Sequence, residues 1–153
     1  MDLEGYSLWG SSAGGHLAGS FGTETMGYAH YGLPKPGAII LTYPVVTMTS
    51  LTHEGTRENL LGKHPSPEEI AFTSVEQNIT SAYPPTFLWC GDKDATVPHE
   101  NSYILAAALE AHAVPHLFLE FPGIDHGVGL GTGTACEPWF ERAVDFWEAH
   151  QGN

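Results

Sequence analysis

The chain has 153 residues, enough for one domain with a sizeable core, and 42% of them are apolar and 11% aromatic, which excludes a disordered or fibrous polypeptide. Eighteen Asp and Glu stand against five scattered cations (Lys35, Arg57, Lys63, Lys93, Arg142), and the formal charge of -13 repels a phosphate backbone, so no nucleic-acid partner is expected. The opening Met1-Asp2-Leu3-Glu4-Gly5 lacks the basic start and apolar run of a secretory leader, and no apolar stretch approaches a membrane span, which points to a cytoplasmic chain with no membrane partner.

In chain order, Tyr6-Ser7-Leu8-Trp9 reads as a short buried strand and residues 13–20 as a small-residue helix that stops at Gly22. Between them stands Gly10-Ser11-Ser12-Ala13-Gly14, a G-x-S-x-G run in strand-turn-helix context. Such a turn lifts a serine hydroxyl to the carboxyl end of a sheet, and its glycines admit a strained backbone and a close strand-helix approach. The apolar run of residues 38–43, bounded by Pro36-Gly37 and Pro44, predicts a second strand covered on both faces.

Residues 45–82 are irregular, with one clear helix start at Ser66-Pro67-Glu68-Glu69: Ser at the cap, Pro at the first position, Glu three after the cap. This stretch follows a strand's carboxyl end, where α/β sheets bind ligands, and is expected to form a cap-like insertion within a single domain over 1–153. Residues 86–90 and 116–121 read as the third and fourth strands. A helix over 100–112 lies between them, and a closing helix over 137–150 gathers Trp139, Phe140, Val144 and Trp147 largely on one face. The alternation predicts an α/β fold, a mainly parallel sheet flanked by helices.

Cys90 and Cys136 make neither a disulfide framework nor a metal site and read as buried small hydrophobes. His112 and His116 have i,i+4 spacing, but Pro115 separates them and no carboxylate completes a ligand set, so no metal and no cofactor are expected. His16 faces either the pocket or the packing, and His99 reads as solvated. Asn78-Ile79-Thr80 is a formal glycosylation sequon that means nothing without export.

A serine hydroxyl needs a base to take its proton, and the base needs an acceptor to fix its tautomer. In a parallel sheet these groups come from loops at the carboxyl ends of strands. Asp94, in Asp94-Ala95-Thr96-Val97-Pro98, lies past the third strand, and His126, in Asp125-His126-Gly127, lies past the fourth. Asp92, nearer the strand end, and Asp125, beside His126, compete with Asp94 for the acceptor's place. The order Ser, Asp, His is that of the α/β-hydrolases.

These segments, together with Leu8-Trp9-Gly10-Ser11-Ser12-Ala13-Gly14-Gly15-His16-Leu17-Ala18, Tyr43-Pro44-Val45-Val46, His53-Glu54-Gly55-Thr56-Arg57-Glu58-Asn59-Leu60-Leu61-Gly62 and Pro84-Pro85-Thr86-Phe87-Leu88-Trp89, run almost the whole chain. They resemble the carboxyl-terminal part of an α/β-hydrolase of the esterase/lipase class, in particular the acetyl xylan esterase-related, carbohydrate esterase-like group. The resemblance implies Ser12 as nucleophile, Asp94 as acid, His126 as base and the backbone N–H of Ala13 as an oxyanion donor. It also implies a small-molecule ester as substrate, with a short acyl group or an acetyl on carbohydrate.

A serine peptidase of the prolyl oligopeptidase kind shares this fold and order, and a binding or assembly module that has lost activity is the reading from another class. The departure from the group is at the amino terminus. Such hydrolases generally have eight strands and an H-G-G-G-type oxyanion loop, whereas the elbow strand and three following strands are what can be traced here. A truncated domain is therefore expected, with weakened catalysis and with the elbow strand's open edge covered by self-association or a partner.

Overall fold

The computed structural model describes residues 5–151; Met1–Glu4, read above as no secretory leader, lie outside them, as do residues 152–153. Four strands, β1 (Ser7–Ser11), β2 (Ala38–Thr42), β3 (Thr86–Gly91) and β4 (His116–Phe121), form one parallel sheet in the order of the chain. Ser7 pairs with Ala38, Ile39 with Thr86 and Thr86 with His116, which brings the carboxyl ends of all four strands to one rim.

Apolar alternation sorts the strand residues between two cores. Ile39, Leu41 and Leu88 face a cluster with Ala18, Leu105 and Leu109, so helices α1 (Ala13–Phe21) and α4 (Glu100–Ala111) cover that side. Ala38, Ile40, Phe87 and Trp89 face Trp139 and Ala143 of the closing helix, Trp139–Ala149. β2 and β3 are buried at every position, as their unbroken apolar runs require.

The expected α/β architecture is present, with differences at element ends. β1 continues to Ser11 because Gly10 and Ser11 pair with Leu41 and Thr42, so the elbow starts one residue before the helix. The closing helix begins at Trp139, with Pro138 as its N-cap, and Phe140 turns outward at 45% exposure to meet Trp9, not inward with Trp139.

Residues 45–82 hold more structure than the sequence suggests: α2 (Glu54–Leu61), α3 (Pro67–Thr73) and a 3-10 turn, Val75–Asn78. The closing helix is therefore α5. The start of α3 has the full reciprocal cap, Ser66 accepting from Glu69 N–H and Glu69 from Ser66 N–H. α2 buries no residue and is held at its start by His53, whose Nδ1 accepts from Thr56 N–H. The segment is tied to the body by Asn101, which is fully buried: its Oδ1 accepts from Val46 and Thr47 N–H, and its Nδ2 donates to Leu51 and Pro98 carbonyls.

Among the described residues β1 has a neighbour on one side, and its other edge is open. Beside that edge Leu8, Trp9, Gly14, Leu17 and Phe21 line an apolar cleft of about 400 Å³.

Candidate active site

The elbow is built by steric exclusion at two glycines. A Cβ on Gly10 would stand 2.2 Å from the carbonyl oxygen of Gly14, and one on Gly15 would stand 2.6 Å from Pro44 Cβ, so strand and helix can approach only without those side chains. Ser12 takes φ 56°, an unfavourable conformation for a side chain-bearing residue and one that concentrates at functional sites. Its backbone is clamped: N–H donates to Thr42 O at 3.1 Å, and its carbonyl accepts from Gly15 at 3.0 Å and Val45 at 3.0 Å. Ala13 opens α1, where first-turn N–H groups have no acceptor within the helix.

The loops after β3 and β4 are bonded to one another. Asp92 Oδ1 accepts from Gly123 N–H at 2.6 Å, Lys93 N–H donates to Ile124 O, and Asp125 Oδ1 accepts from Ala95 N–H. In the first loop Asp94 Oδ1 accepts from Thr96 and Val97 N–H at 2.9 and 2.8 Å, which leaves Oδ2 facing away from its own turn. Val97 is 2% exposed and packs with Val45 and Met48. The D-x-x-V spacing is thus a turn closed by the carboxylate and a plug that holds the turn down.

Asp94 Oδ2 accepts from His126 Nδ1 at 2.7 Å, and His126 Nε2 lies 2.8 Å from Ser12 Oγ. The carboxylate fixes the tautomer with the proton on Nδ1, leaving Nε2 free to accept from the hydroxyl. Asp94's side chain is 1% exposed and His126's 14%. Such a chain of hydroxyl, imidazole and buried carboxylate can take the hydroxyl proton and stabilise the resulting imidazolium.

Of the three candidate acids, Asp94 is the one at His126 Nδ1. Asp92 is engaged by Gly123. Asp125 is bonded to the N–H of Ala95 and of His126, and these two bonds hold its carboxyl below the usual range. His16 lies away from the relay, buried, with Nε2 donating to Thr73 O at 2.7 Å. Burial pushes its imidazole pKa down and favours the neutral ring.

The remaining candidates stand apart. His112 Nδ1 bonds Ala108 O and His116 Nδ1 bonds Val114 O. His99 is partly covered, edge-on to Tyr103. Among the described residues no group of three His, Cys, Asp or Glu is placed to hold a metal ion. Cys90 and Cys136 are both buried and free, with burial the main cause pushing the Cys90 thiol up to about 12.

Sequence reasoning missed three residues that shape the site's walls. His53 carries no recognisable spacing, and its cap role needs Thr56 in place; Asn101 reads only as an ordinary helix residue; Tyr43 reads as the end of a strand. The Ser-x-x-Glu pattern that finds α3 has no counterpart at α2. A Gly at position 62, with φ 80°, is the one local signal that a helix ends there.

The chain and its fold have clear relatives. The chain is 33% identical over 139 residues to an endo-1,4-beta-xylanase B from Butyrivibrio fibrisolvens, covering 86% of this chain and 22% of that protein. An acetyl ester-xyloside bifunctional hydrolase from Caldicellulosiruptor lactoaceticus superposes with a TM-score of 0.85 at 34% identity, covering 94% of this chain and 56% of that one. A propionate-bound esterase from Thermogutta terrifontis gives 0.70 at 26% identity over 96% and 57%. The chain thus spans between a fifth and three fifths of the length of these relatives. Their likeness fits the carbohydrate-esterase resemblance of the sequence. The prolyl oligopeptidase family model matches residues 1–153, and the chain belongs to that family of the α/β-hydrolases.

Proposed function

We propose that the chain carries a serine-dependent hydrolytic site for carboxylic esters with short acyl groups, acetyl on carbohydrate foremost, with Ser12 as nucleophile, His126 as base and Asp94 as acid. The observation that carries this reading is the unbroken relay from Ser12 Oγ through His126 to Asp94, at 2.8 and 2.7 Å. The acetyl ester-xyloside hydrolase and the propionate-bound esterase among the relatives favour small acyl groups.

In this mechanism Ser12 Oγ attacks the ester carbonyl while His126 Nε2 takes its proton, and Asp94 holds the ring and stabilises the imidazolium. The oxyanion faces the N–H of Ala13. Collapse expels the alcohol, which leaves with the proton from Nε2, and an acyl ester remains on Ser12. Water then attacks that ester as Nε2 takes its proton, releasing the carboxylic acid and restoring Ser12.

Residues 45–82 act as the cap. Thr52, His53 and Glu54 face Asp92, Asp94 and His99 across a cleft of about 520 Å³, which supports that role. We also propose that the enzyme acts in the cytoplasm, where the sequon's Asn78, whose Nδ2 donates to the carbonyls of Ala71, Phe72 and Ser74, stays unmodified.

The family match favours a second reading, a serine peptidase acting after proline. Turnover of p-nitrophenyl acetate and of a prolyl p-nitroanilide, measured side by side on one preparation, separates the two. The ester reading expects turnover of the acetate and none of the anilide; the reverse order of activities contradicts it.

A further inference from the structure

Among the described residues three that are not glycine take positive φ: Ser12 at 56°, Tyr43 at 38° and Ala113 at 54°. Ser12 is the elbow, and Ala113 follows the end of α4, where left-handed backbone is common. Tyr43 has neither explanation. It also precedes Pro44, and the proline ring pushes the preceding residue towards extended backbone.

What surrounds Tyr43 gives the strain a use. On its amino side Thr42 O accepts from Ser12 N–H, and on its carboxyl side Val45 N–H donates to Ser12 O. Pro44 packs over Gly15, and Tyr43 N–H donates to Trp89 O at 2.7 Å. With the backbone fixed on both sides, the left-handed turn sends the Tyr43 ring inward, where it is 6% exposed. Its centroid lies 4.8 Å from that of His126 at 64°, and 5.1 Å from that of Trp89 at 87°.

His126 needs such a contact. It sits between Gly123 and Gly127, both at positive φ, on a loop whose Ile124 packs into the core. The imidazole is tethered through its Cβ, by the bond from Nδ1 to Asp94 and by the contact of Nε2 with Ser12 Oγ. The Tyr43 ring packed against it limits how far the imidazole can tilt about those points, which keeps Nε2 aimed at Ser12 Oγ.

We propose that Tyr43 is the positioning residue of this site: one strained turn, residues 42–45, holds the nucleophile's backbone and the base's ring in a single frame. This rests on the ester-hydrolase reading above. Because Tyr43 acts through His126 and not on the ester, its loss lowers kcat and leaves KM in place. Because the ring and not the hydroxyl makes the contact, phenylalanine restores it.

The test compares wild type, Tyr43→Phe, Tyr43→Leu and Tyr43→Met for kcat and KM on p-nitrophenyl acetate, with circular dichroism on each. Tyr43→Phe is expected to stay close to wild type, and whichever ringless variant keeps the wild-type spectrum to lose kcat by about tenfold to a hundredfold with KM unchanged. A folded ringless variant with wild-type kcat, a loss in KM alone, or an equal loss in Tyr43→Phe overturns the proposal.

Proton NMR of the wild type supplies a readout independent of both activity and the variants' folding. The His126 ring resonances, identified by their absence in His126→Asn, are expected to be displaced by the facing Tyr43 ring. Undisplaced resonances overturn the proposal. Displaced resonances in a wild type that cleaves no ester support the placement of the ring and reject the ester reading instead.

Discussion

Asp94 shows how one carboxylate is made useful by being divided. Oδ1 closes its own turn on Thr96 and Val97, and Oδ2 is left for His126, whereas the carboxylates of Asp92 and Asp125 are engaged by backbone N–H groups. We expect Asp94→Asn to lower kcat by about ten-thousandfold, the size of loss seen when an acid-to-amide change leaves a serine relay with the wrong tautomer. Asp92→Asn and Asp125→Asn are expected to keep most of the activity; initial rates on p-nitrophenyl acetate for the three variants check this. Asp94 was singled out in the sequence through the resemblance carried by Asp94-Ala95-Thr96-Val97-Pro98, a local signal because the turn's partners lie two and three residues away. Tyr43 was not, because its conformation is imposed by Ser12, Gly15 and Trp89, residues distant in the chain.

The elbow shows the same division between elements. Both motif glycines look alike in sequence, yet a Cβ on Gly10 would collide with Gly14 O at 2.2 Å, while a Cβ on Gly14 meets nothing within 4 Å among the described residues. Gly10→Ala must push β1 and α1 apart, and forced packing of this kind costs at least about 1–3 kcal/mol. We expect it to lower the midpoint of thermal unfolding sharply or prevent folding, and Gly14→Ala to unfold like the wild type; differential scanning fluorimetry of the pair checks this. Apolar runs made β2 and β3 readable, because a strand covered on both faces must be apolar at nearly every position, whereas β1, read as buried, is a partly exposed edge. α2 was unreadable for the opposite reason: it buries no residue, so no periodicity marks it, and His53 fixes its start from outside the usual set of capping residues.

At the scale of the whole fold the unbalanced feature is the edge of β1 that is open among the described residues. Leu17 is 73% exposed beside it, and on the other side of the sheet Trp9 and Phe140 are 39% and 45% exposed. An unpaired strand edge flanked by apolar surface on both faces is a site of association, and we propose that a second copy or a partner covers it. The charge of -13 opposes pairing of two copies, so added salt should strengthen it by screening. Sedimentation velocity over a range of concentrations is expected to show reversible association that rises with salt and falls in Leu17→Lys. A monodisperse monomer at high concentration and high salt contradicts it. The sequence suggested this edge through the resemblance, in whose members the elbow strand is interior, but the exposed Phe140 emerged only once the start of α5 was fixed by Pro138.

The relay itself is tested most directly by its reactivity. Intact mass spectrometry after incubation with a fluorophosphonate reads whether Ser12 is an activated nucleophile, without any assumption about the natural ester. The wild type should gain the mass of one phosphonyl group and Ser12→Ala none, with peptide mapping placing the adduct on Ser12. A folded wild type that stays unlabelled, or a Ser12→Ala variant that labels equally, contradicts it.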